Sequence, residues 1–125
     1  MTGIVLVTHP GVGESLRHQA EIILGQTIQL TTISISDQTD PDISLAQLIG
    51  AFAHSMDPNG ALILTDLPGA TPHNLDVRAA EQHGLPVVSG LNLPMLLKAI
   101  NHAGKPAAEL AGLAGLGGHQ GIVSA

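Results

Sequence analysis

The chain has 125 residues, of which 44% are hydrophobic, and this length fits one domain with one core, over residues 1–125. Four Lys and Arg against ten Asp and Glu give a formal net charge of −6, which disfavours nucleic acid and anionic membranes as partners. Cysteine is absent, which excludes disulfides, thiolate catalysis and cysteine-ligated metals. Phe52 is the only aromatic residue, so we expect an aliphatic core of parallel strands covered by helices.

Strand and helix patterns alternate along the chain. Aliphatic runs predict strands and apolar residues at helical spacing predict helices, in this order: strand 3–8, helix 12–24, strand 28–35, helix 41–54, strand 61–65, helix 72–83, strand 87–90, helix 93–102 and helix 106–116. Gly25 stops the first helix, and Asp40 followed by Pro41 predicts an N-cap and a first helical residue. Thr71 is the predicted cap of the third helix, and Asn92 stands at the start of the fourth.

This alternation predicts the fold class. Strands that alternate with helices imply right-handed crossovers and a parallel sheet. We therefore expect an α/β protein, a three-layer α/β/α sandwich with a four-stranded parallel sheet in the order 2-1-3-4. No apolar run approaches the roughly 20 residues of a membrane helix, and the N-terminus lacks the basic region of a signal peptide. A soluble, cytoplasmic protein is the expectation.

Two strand ends carry a titratable side chain. His9 follows the first predicted strand and Asp66 follows the third. In the order 2-1-3-4 these strands are neighbours at the switch point, where open parallel sheets bind ligands. A carboxylate that accepts a hydrogen bond from one ring nitrogen fixes the tautomer and leaves the other nitrogen free as a nucleophile. The same positions also fit a plain strand cap and a turn, and position alone does not separate the two.

Two glycine-containing loops flank this pair. Gly11 precedes the first helix, beside His9, while Gly69, Ala70 and Thr71 precede the third. Small residues let backbone amides approach a ligand, and helix N-termini favour anions. The loops therefore indicate a phosphoryl-binding cradle, although turn formation alone also explains glycine in such loops.

Four stretches of the chain resemble the IIA component of mannose-type (mannose-fructose-sorbose) bacterial phosphotransferase systems. They are LVTHPG around His9, AEIILG at 20–25, LILTDLPGATPHN at 62–74 and VVSGLNLPMLLKAI at 87–100. Their order and spacing match the family over nearly the whole chain. Pro10 departs from the pattern, because glycine is usual there.

The resemblance implies a phosphotransferase with a phosphohistidine intermediate. In that scheme His9 takes a phosphoryl group from phospho-HPr and passes it to a IIB component that takes part in sugar transport. Asp66 orients the imidazole, and Thr71 is the small hydroxyl residue of the phosphate loop. No cofactor or metal is required. The family also forms homodimers, so residues 119–124 are expected to be an edge strand exchanged between subunits.

Other functions stay open from the sequence. One is a stand-alone regulatory module that uses phosphorylation as a signal, and another is the phosphoryl-donor subunit of a phosphotransferase-dependent dihydroxyacetone kinase. A third is a receiver-like domain phosphorylated on Asp66, although the acidic pair and the strand-end lysine of receivers are missing. His73 is either a further site residue or structural. Asn92, Pro94 and Met95 are expected to line a partner-binding rim, whereas Leu93, Leu96 and Leu97, at helical spacing, are expected in the core.

Overall fold

The sheet has the predicted strand order. The computed structural model describes residues 1–36, 38–56, 59–68 and 70–125. Its strands are β1 (Gly3–Thr8), β2 (Thr31–Ser34), β3 (Ala61–Thr65) and β4 (Val87–Val88). They form one sheet in the order β2-β1-β3-β4, and every neighbouring pair is parallel. This order confirms that β1 and β3 lie side by side.

Helices cover both faces of the sheet. They are α1 (Val12–Leu24), α2 (Pro41–Ser55), α3 (Thr71–Glu81), α4 (Leu93–Asn101) and α5 (Ala107–Gln120). Alternate residues of β1 enter two separate cores, because successive side chains of a strand point to opposite faces. Ile4 and Leu6 pack with α1, α4 and α5, whereas Val5 and Val7 pack with α2 and α3. The result is the predicted three-layer sandwich.

Local capping signals define several helix ends. The Asp40 carboxylate accepts a hydrogen bond from the Asp42 N–H, which confirms the predicted cap of α2. The Asn92 side chain accepts one from the Met95 N–H and caps α4. Gly25 ends α1 with a φ of 68°, a left-handed conformation that favours glycine. The predicted cap Thr71 is wrong, because Ala70 is the N-cap and Thr71 is already helical. No helix in the described ranges has both the length and the apolar character needed to cross a bilayer.

The second strand is shorter than the predicted 28–35, because side chains of α1 hydrogen-bond to the residues before it. The Arg17 guanidinium donates to the carbonyl of Ile28 at 3.0 Å and to that of Leu30 at 3.3 Å. The Glu21 carboxylate accepts from the Ile28 N–H at 2.9 Å. These backbone groups are therefore bonded to a helix rather than to the sheet. The fourth strand is also shorter than predicted, with two residues.

The end of the chain differs most from prediction. Gly117 and Gly118 do not end the last helix, which continues to Gln120. A Cβ atom at Gly117 would lie 2.5 Å from Cβ of Lys98, so glycine allows α5 to pack closely on α4. Within the single chain residues 119–124 form no strand, because the first two are helical and residues 121–125 have no regular structure beyond a turn, and their exchange between subunits stays a prediction.

The start of α4 belongs to this same helix contact. Met95 is buried, and the Asn92 side-chain amide donates to the carbonyl of Gly118 at 3.3 Å. A Cβ atom at Gly118 would lie 2.9 Å from Cε of Met95. Asn92 and Met95 are therefore packing residues of the α4–α5 contact, and a partner-binding role for them stays a prediction.

Candidate functional site

His9 and Asp66 lie against each other where β1 and β3 end. Nδ1 of His9 is 2.8 Å from Oδ2 of Asp66, and the backbone N–H of His9 donates to the same oxygen at 3.0 Å. The other oxygen, Oδ1, accepts from the N–H of Leu67 at 3.0 Å. Both oxygens are thus held by donors, and the carboxylate in turn fixes the orientation of the imidazole.

The electrostatics of this pair determine which ring nitrogen is free. Burial raises the pKa of the Asp66 carboxyl, but hydrogen bonds from the His9 N–H, the His9 ring and the Leu67 N–H together lower it below its ordinary value. The carboxylate is therefore ionised at neutral pH, and the neutral imidazole carries its proton on Nδ1. Nε2 keeps its lone pair and has no hydrogen-bond partner among the described residues.

The two partners differ in exposure. The side chain of His9 is 34% exposed and that of Asp66 is 12% exposed. An approaching molecule can therefore reach the ring, while the carboxylate that orients it is mostly shielded from water. Shielding strengthens the electrostatic interaction between the two groups.

Thr8 holds the backbone of His9, a role that the sequence analysis missed. It is fully buried, and its hydroxyl donates to the carbonyl of His9 at 2.8 Å and accepts from the Gly13 N–H at 2.9 Å. The Val12 N–H donates to that same carbonyl at 3.3 Å. A threonine at a strand end, five residues before a glycine, is the only sequence signal for this arrangement, and it is a weak one.

The two helix N-termini beside His9 are not equivalent. At α1, Gly11 is the N-cap with a φ of 89°, and the next two amides already donate to His9 and Thr8. At α3, Ala70 is the N-cap and no side chain caps the helix. The first amides of a helix have no partner within it, but at α3 the Ala70 N–H donates to the carbonyl of Leu67 at 3.3 Å and Pro72 has no N–H, which leaves Thr71 as the first helical donor there. Thr71 is exposed there, and Gly69 lies outside the described residues.

His73 contacts the strand end next to the pair. Its Nδ1 lies 3.0 Å from the hydroxyl of Thr65, a fully buried residue at the end of β3. His73 is half-buried, and no described contact joins it to His9 or Asp66. The structure therefore brings His73 to the same edge of the sheet without placing it in the histidine–aspartate pair.

A second carboxyl group lies buried in the same region. Asp76, on α3, is fully buried, and neither of its oxygens has a hydrogen-bond partner in the described structure. Burial, with a smaller contribution from the charge of Asp66, raises the pKa of Asp76 to about 9. The sequence analysis missed this residue. The sequence pattern that could have found it is helical spacing, because Ala79 and Ala80, three and four residues later, are apolar and place Asp76 on the buried face of the helix.

A doubly wound parallel sheet with a carboxylate-oriented imidazole at its switch point defines an α/β domain whose ligand site lies at the carboxyl edge of the strands. The model of one protein family matches residues 3–111 of the chain, and that family is described as the fructose IIA component of the phosphotransferase system, EIIA-man. The chain belongs to this mannose-type IIA family. It is a component of a phosphotransferase system, in which IIA components carry phosphoryl groups.

Solved structures agree with this family. The chain is 25% identical to the mannose/sorbose-specific IIA subunit of the phosphotransferase system from Enterococcus faecalis, with a TM-score of 0.87 over 99% of this chain and 94% of that one. It is also 25% identical to the phosphotransferase component EIIA from Streptococcus agalactiae, with a TM-score of 0.83 over 99% and 97%. The IIA protein associated with the fucose utilization operon from Streptococcus pneumoniae, at 18% identity, shares the fold, with a TM-score of 0.76 over 98% and 92%.

Proposed function

We propose that Nε2 of His9 accepts a phosphoryl group from phospho-HPr and passes it to a IIB component. One observation carries this proposal. Nδ1 of His9 is held 2.8 Å from the ionised Asp66, while Nε2 has no partner among the described residues and belongs to a side chain that is 34% exposed. A nucleophilic histidine needs this division of roles between its two nitrogens.

The transfer step follows from this geometry. The Nε2 lone pair attacks the phosphorus atom of the donor phosphohistidine, and the new P–N bond forms as the donor's P–N bond breaks. The bonding electrons stay on the donor's ring nitrogen, which leaves as a neutral imidazole. The Nδ1–H group of His9 donates a hydrogen bond to Asp66 throughout, and the carboxylate stabilises the positive charge that the His9 ring gains. Positioning and electrostatics supply most of the catalysis in such a transfer.

The incoming group brings a charge near −2, and we assign its binding to backbone amides. Among the described residues no Lys or Arg is paired with Asp66, whose ionic partner is His9. No side chain caps the start of α3, so Gly69, Ala70 and Thr71 are the proposed cradle, in which the Ala70 N–H would exchange its 3.3 Å hydrogen bond to the carbonyl of Leu67 for one to a phosphoryl oxygen. Gly11 contributes by its left-handed backbone, which turns the chain tightly beside His9.

We also propose that the 125 residues act as one IIA domain in a cytoplasmic homodimer. The strand β4 has two residues and forms one edge of the sheet. Beside it lies an open groove of about 280 Å³, lined by residues that include Val88, Met95 and Ile122. Ile122 and Val123 are 74% and 83% exposed, and an edge strand exchanged with a second copy would bury them. Sedimentation of the full chain and of a chain ending at Gly121 tests this, since only the full chain should dimerise.

Phosphorylation of His9 is tested with phosphoenolpyruvate, enzyme I and HPr, followed by the intact mass of the protein. We expect the mass of one phosphoryl group, labile in acid, as is typical of a phosphohistidine. His9→Ala should abolish the addition. His18→Ala, a change at an exposed histidine of α1, is the matched control and should keep it. An unmodified wild type would contradict the proposal.

The protein that accepts the phosphoryl group from phospho-His9 distinguishes the alternative functions that the sequence left open. A IIB component that takes the group from phospho-His9 supports transport, and a dihydroxyacetone kinase subunit that takes it supports the kinase alternative. If neither does, a regulatory role gains support. The receiver-like alternative is disfavoured, because both oxygens of Asp66 already accept hydrogen bonds.

A further inference from the structure

Asp76 is the one ionisable residue among the fully buried side chains of the described structure. It lies on the inner face of α3, next to an apolar cluster that contains Leu75, Ala79 and Ala80. Neither carboxyl oxygen has a hydrogen-bond partner in the described ranges. Burying a polar group without a partner is unfavourable, and such groups are uncommon in native proteins. A packing role alone would be filled better by an apolar residue.

The place of Asp76 connects it with the phosphoryl site. Helix α3 packs against β1 and β3, whose ends carry His9 and Asp66. The charge of Asp66 acts on the Asp76 carboxyl and disfavours its ionised form. Two carboxylates that share a region of low dielectric cannot both ionise easily.

Other charged groups near α3 do not offset this repulsion. Helix α3 also packs against α2 and β4. On α2 the described titratable residues are Asp42 and His54, both exposed, and β4 has none. On α3 itself Arg78 and Glu81 are exposed, and the described hydrogen bond of His73 goes to Thr65.

We propose that Asp76 is a positioning residue of the phosphoryl site: His9 accepts a phosphoryl group only while the Asp76 carboxyl holds its proton. This inference rests on the proposed function of His9. With Asp76 neutral, Asp66 is the only ionised carboxylate of the pair, and it can stabilise the positive charge on the ring. With Asp76 ionised, a second negative charge in the same region opposes the arrival of a group that carries nearly two more.

The coupling must work in both directions. If the Asp76 proton favours phosphorylation of His9, then phosphorylation must strengthen the binding of that proton by the same factor. The negative charge of Asp66 should likewise strengthen the binding of the Asp76 proton. Both effects on the Asp76 proton can be measured on the full-length protein without following the rate of transfer.

The first experiment follows the ¹³C signal of the Asp76 carboxyl carbon as a function of pH in the full chain. We expect its midpoint to fall in Asp66→Asn and to rise when His9 is phosphorylated. Glu81→Gln, which removes an exposed acid from the same helix, should leave the midpoint unchanged. A midpoint that neither change moves would overturn the coupling.

The second experiment compares the phosphorylation rates of wild type and Asp76→Asn, with phospho-HPr as donor, at each pH. Because the pKa of Asp76 is about 9, about a tenth of the molecules keep the proton at pH 10. The ratio of the wild-type rate to the Asp76→Asn rate should therefore fall roughly tenfold between pH 7 and pH 10. Because ionisation of Asp76 also lowers the stability of the wild type, circular dichroism at each pH restricts the comparison to conditions in which both proteins are folded. A merely structural role would give a ratio that does not depend on pH within that range.

The outcomes separate the two proposals. A wild type that takes no phosphoryl group at any pH overturns the proposed function and this role together. A wild type that is phosphorylated, with a ratio independent of pH, overturns the role of Asp76 alone. If Asp76→Asn does not fold, Asp76→Ala replaces it, because alanine is also uncharged and favours the helix.

Discussion

The carboxyl edge of the sheet and the α4–α5 pair bury different kinds of groups. At the edge, Thr8, Thr65 and Asp76 are fully buried, and Asp76 has no hydrogen-bond partner in the described structure. Between α4 and α5, the buried residues are small or aliphatic, such as Ala99, Ala114 and Gly117. The hydroxyls of Thr8 and Thr65 have hydrogen-bond partners, so the edge loses stability through the unpaired carboxyl of Asp76, whereas the helix pair gains stability from close packing.

This contrast indicates how each region should respond to substitution. Natural proteins often keep destabilising groups at functional sites, because chemistry needs charges and unpaired polar atoms there. Changes at the edge should alter phosphoryl transfer, and some should raise the free energy of unfolding. Changes between α4 and α5 should alter the free energy of unfolding and leave transfer unaffected.

The largest effect is expected for Asp66→Asn. The amide would donate to Nδ1 of His9 and stabilise the tautomer with the proton on Nε2, which has no lone pair for attack. We expect the single-turnover rate with phospho-HPr to fall by roughly 10²–10⁴-fold. Circular dichroism should show an intact fold, and a rate within twofold of wild type would contradict the assigned tautomer.

A large pH effect on stability is expected from Asp76. Its folded-state pKa of about 9 lies above the ordinary value of 3.8, so between these values the unfolded chain releases a proton that the folded chain keeps. The contribution of this carboxyl to stability is present below pH 4 and is lost as the pH rises towards 9. Wild type should lose about 1.4 kcal/mol per pH unit more than Asp76→Asn in this window.

Urea unfolding at several pH values between 5 and 9 measures this difference. Other titrating groups affect both proteins equally, so the comparison isolates Asp76. Parallel pH profiles for the two proteins would show that the carboxyl titrates normally in the folded state.

A smaller effect is expected for Gly117→Ala in α5. The new Cβ would lie 2.5 Å from Cβ and 2.8 Å from Cγ of Lys98, so the two helices must move apart. Overpacking of this kind lowers the free energy of unfolding by about 1–3 kcal/mol. Denaturant titration measures the loss, and the phosphorylation rate of the folded protein should not change. A slower rate would mean that the α4–α5 pair also supports the site.

The smallest effect, of opposite sign, is expected for Gly112→Ala in the same helix. A Cβ atom there would meet no heavy atom within 4 Å, and the residue is exposed. Alanine favours the helix over glycine by about 0.5–1 kcal/mol. The melting temperature should therefore rise, which makes this variant the matched control for Gly117→Ala. If both variants lose stability, close packing is not the reason for Gly117.

Much of the fold was predictable because its signals are local. The buried runs of β1 and β3 were predicted with their observed bounds, and so was α1 with its stop at Gly25. The cap at Asp40 and the helix start at Asn92 were also predicted, and each side chain bonds to an amide two or three residues away. The pairing of His9 with Asp66 followed from one further rule, that ligand sites lie where parallel strands end.

The rest depended on contacts between residues far apart in the chain. Residues 28–30 alternate like a strand, but Arg17 and Glu21 of α1 bond to their backbone instead. Gly117 and Gly118 match a helix stop, yet their close contact with α4 keeps them helical. Helical spacing can place Asp76 on the inner face of α3, but it cannot show that the carboxyl lacks a hydrogen-bond donor there.

The sequence by itself therefore determined the order of the elements, the local caps and the two strand ends that carry His9 and Asp66. Periodicity and capping depend on neighbours within a few residues, so they can be recognised along the chain. Only the tertiary structure decided which amides remain free, which glycines allow close packing, and that a second carboxyl lies unpaired within reach of the Asp66 charge. Burial and hydrogen bonding arise when distant segments meet, and they set the charge of each acid at this site.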